Sequence, residues 1–125
     1  MTDSRILAKL AVDYWKLLRA FERSIQRLPR EHGDKSLAQL RYSQRRLELS
    51  LQEGGLTLVT FDGKHFEPGM PAAALNGDDF VDGDILIVEA TVEPAVVGDM
   101  TVLLFGKVML KKAPSGGEEG DVPRA

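Results

Sequence analysis

The chain contains no cysteine. That excludes disulfides, thiol catalysis and thiolate metal sites, and it suits a reducing compartment. It also lacks any apolar run near the roughly 20 residues that a bilayer-crossing helix needs. Its first ten residues, Met1 to Leu10, show no apolar core between a basic end and a small-residue cleavage site, so no signal peptide is read. The expected compartment is the cytoplasm, with no membrane contact. Sequence signatures of chemistry are missing as well: no Gly-rich phosphate loop, no H-E-x-x-H and no G-x-S-x-G. The two histidines, His32 and His65, stand far apart without an evident third ligand. No catalytic residue, metal site or cofactor is expected, and the chain is read as a non-enzyme.

What is present is a soluble, globular composition, 43% hydrophobic and 28% charged over 125 residues. The charge is divided along the chain. Residues 1–50 hold 11 Lys/Arg against 6 Asp/Glu, whereas residues 51–112 hold 4 against 10. A basic half joined to an acidic half points to two surfaces with different partners. The basic set Arg19, Arg23, Arg27, Arg30, Arg41, Arg45 and Arg46 has few aromatics around it, and the sequence pI is about 5.4. This is not the footprint of a nucleic-acid-binding domain.

Residues 3–28 predict one helix, because Leu7, Leu10, Tyr14, Leu17, Phe21, Ile25 and Leu28 recur at steps of three and four. Pro29 ends it. A second helix is expected at about 36–53, with Asp34 or Ser36 as its cap and Leu37, Leu40, Leu47 and Leu51 as its stripe; Gln44 interrupts that stripe. Gly54-Gly55 is the stop signal. Two helices with one stripe each cannot close a core alone, so pairing of two copies into a four-helix bundle is expected. The dimer interface is assigned to Leu7, Leu10, Tyr14, Leu17, Phe21, Ile25, Leu40, Gln44 and Leu47.

After Gly55 the period changes. Leu56 to Phe61 reads as a strand ending in the turn Asp62-Gly63. His65-Phe66-Glu67 is a short extended piece stopped by Pro68-Gly69. Ile85–Val92 and Met100–Leu110 are the two principal strands, and Gly106 inside the second marks a bulge or a close backbone approach. Residues 75–84 are loop. Their acidic cluster, Asp78, Asp79, Asp82 and Asp84, partly imitates a calcium loop, but Phe80 takes a ligand position, so a solvated loop is the reading. Asp82 to Ala90 is also similar to the segment before the carrier lysine of biotinyl and lipoyl domains, but no lysine follows in Thr91-Val92-Glu93-Pro94. The fold class is thus α+β: a helical dimerisation region at 1–54, a small all-β domain at 55–112, and a disordered tail at 113–125.

Read in order, residues 13 to 112 resemble the GrpE family of nucleotide exchange factors for DnaK-type chaperones. Leu17-Leu18-Arg19-Ala20-Phe21-Glu22-Arg23-Ser24-Ile25 looks like the end of that family's long helix. Leu37 to Gln52 with Gly54-Gly55-Leu56 is similar to its second helix and junction. Phe66-Glu67-Pro68, followed by Gly69-Met70-Pro71-Ala72-Ala73, stands where its β domain has a Phe-Asp-Pro-like turn. There are departures. Pro71 replaces a usual histidine, Gln39 a common glycine, Val92 to Asp99 the Gly-Tyr hairpin, and Thr101 to Lys107 an arginine-bearing last strand. The long N-terminal coiled coil is nearly absent. The resemblance implies a homodimeric co-chaperone whose β domain opens the nucleotide cleft of a DnaK-type ATPase domain and speeds ADP release. It also implies a partner surface at Lys64, His65, Phe66, Pro68 and Met70, with Pro94, Val96 and Lys107. The alternative is a repurposed GrpE-like dimeric adaptor that binds another protein assembly without exchange activity.

Overall fold

A computed structural model of the chain describes residues 2–114; most of the tail expected from residue 113 onward lies outside them. Two long helices come first, α1 (Thr2–Ile25) and α2 (Arg30–Glu53). The second starts at Arg30, six residues before the expected start at 36. Pro29 sits at its N-cap with φ −57° and ψ 151°, and the Gly33 amide donates to the Pro29 carbonyl at 2.8 Å. The proline therefore ends the first helix and opens the second, with no need of Asp34 or Ser36. The helices run antiparallel: Ile25 lies against Gly33 at one end of the hairpin and Leu7 against Gly54 at the other. Gly55 takes φ +75° and turns the chain out of α2, the conformation that glycine reaches without strain. Among the described residues, no helix is long and apolar enough to cross a membrane.

Six strands follow: β1 (Leu56–Val59), β2 (Ala72–Ala74), β3 (Leu86–Glu93), β4 (Ala95–Gly98), β5 (Thr101–Leu104) and β6 (Gly106–Lys112). They form two three-stranded sheets, ordered β1-β4-β5 and β2-β6-β3. The first is antiparallel throughout; in the second, β2 is parallel to β6 and β3 antiparallel to it. Pro94 carries the chain from β3 in one sheet to β4 in the other and is fully buried there. The single last strand expected from Met100 to Leu110 is two strands, divided at Phe105. Gly106 explains the division. A Cβ at this position would lie 2.9 Å from the Glu93 carbonyl oxygen, 3.0 Å from the Phe61 ring and 3.1 Å from the Ala95 nitrogen. Only glycine lets the two sheets meet so closely.

Two apolar clusters result. In the first, Ala8, Ala11, Val12 and Leu18 of α1 and Leu40, Leu47 and Leu51 of α2 pack on Leu56 and Val96 of the first sheet. The second gathers Phe61, Ala72, Val88, Ala95, Val108 and Leu110. The division expected at residue 54/55 runs through the first cluster, because β1, β4 and β5 form a layer with the helices. This layer also supplies what the helix stripes alone could not. The helical hairpin closes its core on its own sheet, within one protomer.

Candidate protein-binding surface

The helical layer leaves one apolar face uncovered. On α1 the buried positions Ala8, Ala11, Val12 and Leu18 recur at helical spacing and face the core. The expected interface stripe is the adjoining face. Leu7 is 39% exposed, Leu10 61%, Tyr14 40% and Leu17 68%. Phe21 and Ile25, further along, are half-buried and pack against the first cluster. Between Leu7, Leu10 and Tyr14 on one side and Arg46, Leu47 and Ser50 on the other lies a groove of about 230 Å³.

Of the α2 members of the expected interface, only Leu47 lines this groove. Leu40 and Leu47 are buried inside the protomer, 1% and 7% exposed, and so are packing residues, not dimer contacts. Gln44 is exposed, but it lines a different groove, of about 420 Å³, between Trp15, Arg19, Leu51, Leu56 and Thr60. The stripe of α2 packs against α1 and the first sheet within the chain, so Leu40 and Leu47 are taken up by the fold, whereas Gln44 stays at the surface.

The residues expected to meet a partner through the β half also divide. Lys64 and His65 lie along the outer edge of β3. Gly63 donates to the Val88 carbonyl at 2.9 Å, Val88 donates to the Lys64 carbonyl at 2.8 Å, and Phe66 donates to the Leu86 carbonyl at 2.9 Å. The other end of the segment reaches β6, where the Gly106 amide donates to Pro71 at 2.8 Å. Residues 64–71 therefore pass from one edge of the second sheet to the other. Phe66 and Met70 are half-buried against the second cluster and anchor the crossing. Lys64, His65 and Pro68 are exposed, with the Lys64 ammonium 5.9 Å from the centroid of the Phe61 ring.

Lys107 is exposed too, but it pairs with Glu93, whereas His65 bridges to Ile87. Six positions along β3 separate the two, about 20 Å at strand rise. Pro94 and Val96 are fully buried. As contact residues they are corrected: Pro94 makes the passage between the sheets, and Val96 belongs to the first cluster. The surface that remains together is Lys64, His65 and Pro68 on a crossing pinned by Phe66 and Met70.

Charged groups tie α1 to the β half. The Lys16 ammonium is 2.9 Å from the Glu93 carboxylate, and the Lys107 ammonium 3.6 Å from its other oxygen. The hydrogen bond from Lys16 holds the Glu93 carboxyl below its ordinary range; partial burial opposes that shift, and Lys107 adds to it. The same hydrogen bond raises the Lys16 ammonium. Nearby, the Arg19 guanidinium stacks 4.5 Å from the Trp15 ring centroid and lies 3.9 Å from Asp62. Asp62 accepts from both the amide and the hydroxyl of Thr91, the latter in a short contact, and the Phe61 amide donates to the Thr91 hydroxyl oxygen at 2.9 Å. Thr91 is the one buried polar side chain among the described residues, and this network satisfies it.

The acidic loop before β3 is a set of turns. Asp84 accepts from the Val81 amide at 3.1 Å and faces Lys112. Asn76 both donates to and accepts from the Leu110 backbone at 2.9 Å, extending the sheet with its side chain. Among the described residues, no group of three His, Asp or Glu side chains is placed to hold a metal ion.

No family model, curated protein or solved structure matches this chain. The reading of the surface therefore rests on its own geometry and on the motif resemblance alone.

The contacts of Asp62, Thr91, Trp15 and Arg19 with one another are not encoded in the motifs that name Arg19 and Asp62. Asp62 was legible only as the first residue of a turn, and its partner lies 29 residues away. The one available signal was the position of Trp15 and Arg19 four residues apart on a helix, a spacing at which an arginine reaches an aromatic ring.

Proposed function

We propose that this chain is a GrpE-like co-chaperone: a homodimer through α1 that binds a DnaK-type ATPase domain with its β half and accelerates ADP release. The observation that carries the reading is the crossing at 64–70. The segment that includes the resembling stretch Phe66-Glu67-Pro68 is held along β3 by three backbone hydrogen bonds, at Gly63, Lys64 and Phe66, and by two half-buried anchors, Phe66 and Met70, while it presents Lys64, His65 and Pro68 outward. A preorganised, outward-facing segment loses little freedom on binding. The exposed stripe Leu7, Leu10, Tyr14 and Leu17 supports the dimer, since a two-fold pairing of such helices would cover it in both copies at once.

Exchange of this kind forms no covalent bond. The factor binds the open ATPase cleft more tightly than the closed one, and by linkage it must weaken nucleotide by the same factor. About 3 kcal/mol of differential affinity corresponds to a change on the order of 100-fold. The test is the release rate of a fluorescent ADP analogue from a DnaK-type ATPase domain of the same organism. Faster release, reduced by Lys64→Glu with His65→Ala, is the expected outcome; an unchanged rate would sink exchange activity.

The burial of Pro94 and Val96 and the pairing of Lys107 with Glu93 favour a second reading. They shrink the partner surface from the set that the resemblance implies. In this reading the chain is a dimeric adaptor with a GrpE-like order of parts, bound to a different assembly. Binding to the ATPase domain without faster release, or no binding by a stable dimer, would select it.

A further inference from the structure

β4 and β5 are joined by only two residues, Asp99 and Met100, with Gly98 paired to Thr101. Both have left-handed backbones, φ 49° and 62°, and they are the only non-glycine residues with positive φ among those described. Two-residue hairpins of this kind favour Asn-Gly or Asp-Gly, because the second position disfavours any side chain. Asp99 fits that preference. Met100 does not, since its side chain has no polar group to bond locally and offset the left-handed conformation. Nor does packing account for it: Met100 is 100% exposed.

The hairpin beneath the tip packs closely on its neighbours. A Cβ on Gly98 would lie 2.6 Å from the Leu56 side chain, and Val96 in the same strand is fully buried. The Thr101 hydroxyl donates to the Asp99 carbonyl at 3.3 Å. Val102, two residues beyond Met100, is a further apolar side chain more than a third exposed. An unfavourable backbone position thus holds a large apolar side chain clear of its own fold, on a firm base. Strained residues of this sort concentrate where a protein binds. A thioether, flexible and polarizable, fills irregular apolar pockets well.

We infer that Met100 is an insertion tip, which enters an apolar pocket on the surface of the protein partner. The inference rests on the proposed function for the identity of that partner, a DnaK-type ATPase domain. Three variants separate tip from scaffold. Met100→Gly suits the left-handed position and removes the side chain; it does not lower the melting temperature, and it weakens binding of the ADP-loaded ATPase domain by roughly tenfold or more, the size expected for one buried methionine. Asp99→Gly relaxes the same turn, keeps the methionine, and binds like the wild type. Met100→Leu keeps most of the affinity. If the wild-type protein does not bind the ATPase domain, the proposed function fails and this inference falls with it. If the wild type binds and Met100→Gly binds equally well, the function stands and the tip is overturned. A lower melting temperature for Met100→Gly would also overturn it, because the methionine would then be serving the fold.

Discussion

The two helices have the same length, 24 residues each, and lie antiparallel on the same sheet. They differ in what they leave outside. α2 buries Leu40, Leu47 and Leu51 and turns Arg41, Arg45 and Arg46 outward, with Tyr42 and Leu49 as its exposed apolar side chains. α1 buries its own stripe and then exposes another, Leu7, Leu10, Tyr14 and Leu17, beside it. One stripe per helix is enough to seat a hairpin on a three-stranded sheet. α2 has that and no more, as befits a helix that serves the fold. The second stripe of α1 contributes little to the protomer, and contiguous apolar surface of this kind is what partner contacts use. The comparison thus separates a helix whose apolar side chains mainly serve the fold from a helix that also keeps an apolar stripe exposed.

The largest effect that would sharpen it comes from α2. Leu40→Ala removes a side chain only 1% exposed and is expected to cost about 2–5 kcal/mol, read as a lower urea midpoint. Leu17→Asp, on the outer stripe of α1, is expected to change protomer stability by no more than about 1 kcal/mol. In a dimer closed by this face, however, the same substitution puts an unpaired charge into an apolar seam. If the proposed dimer forms through this face, sedimentation velocity should show a dimeric wild type and a folded monomeric Leu17→Asp variant. If Leu17→Asp lowers the urea midpoint as much as Leu40→Ala does, the distinction between the two faces is lost; a dimer that survives it moves the interface elsewhere. Phe21→Asp would be a poorer probe, because Phe21 is half-buried against the core and its loss would mix both effects.

Periodicity made both helices legible, along with the Gly54-Gly55 stop and the strand over residues 86–93. It could not say which face of α1 turns inward. Leu7, Leu10, Tyr14 and Leu17 repeat at helical spacing with large side chains, and Ala8, Ala11, Val12 and Leu18 repeat at the same spacing with smaller ones. The smaller set is buried because alanine at two positions lets neighbouring elements come close. Only the third layer, the β1-β4-β5 sheet, decides between them, and it is assembled from segments 40 residues apart. β4 was hidden by Pro94, which reads as the end of a strand. A proline at a passage between sheets ends one strand and directly precedes the next, since the position needs no ladder donor. The placement of the expected contact residues was half legible. The 64–70 segment carried its turn residues openly, whereas Pro94 is buried at the passage between the two sheets and Val96 in the cluster under the helices, contacts that no local pattern encodes.

The smallest expected effect tests how α1 is tied to the β half. Glu93 is paired with Lys16 of α1 and Lys107 of β6, and the ammonium of Lys16 holds its carboxyl below the ordinary value of 4.5. A carboxyl depressed on folding stabilises the native state fully above its ordinary pKa and loses that contribution as pH falls through the depressed folded value. Lys16 is raised above its ordinary 10.5, so its share is complete below that value and is lost as pH rises through the raised one. The pair is therefore intact across the whole range between, and neutral pH lies inside it. Glu93→Gln should lower the melting temperature slightly at pH 7 and flatten its fall on acidification, with wild type and variant converging once the carboxyl is protonated. Salt should narrow the gap at pH 7, because the Lys16 partner is exposed and readily screened. A gap that persists undiminished into acid would mean that Glu93 acts through packing at the Pro94 passage, not through its charge, and that α1 is held to β3 by shape alone.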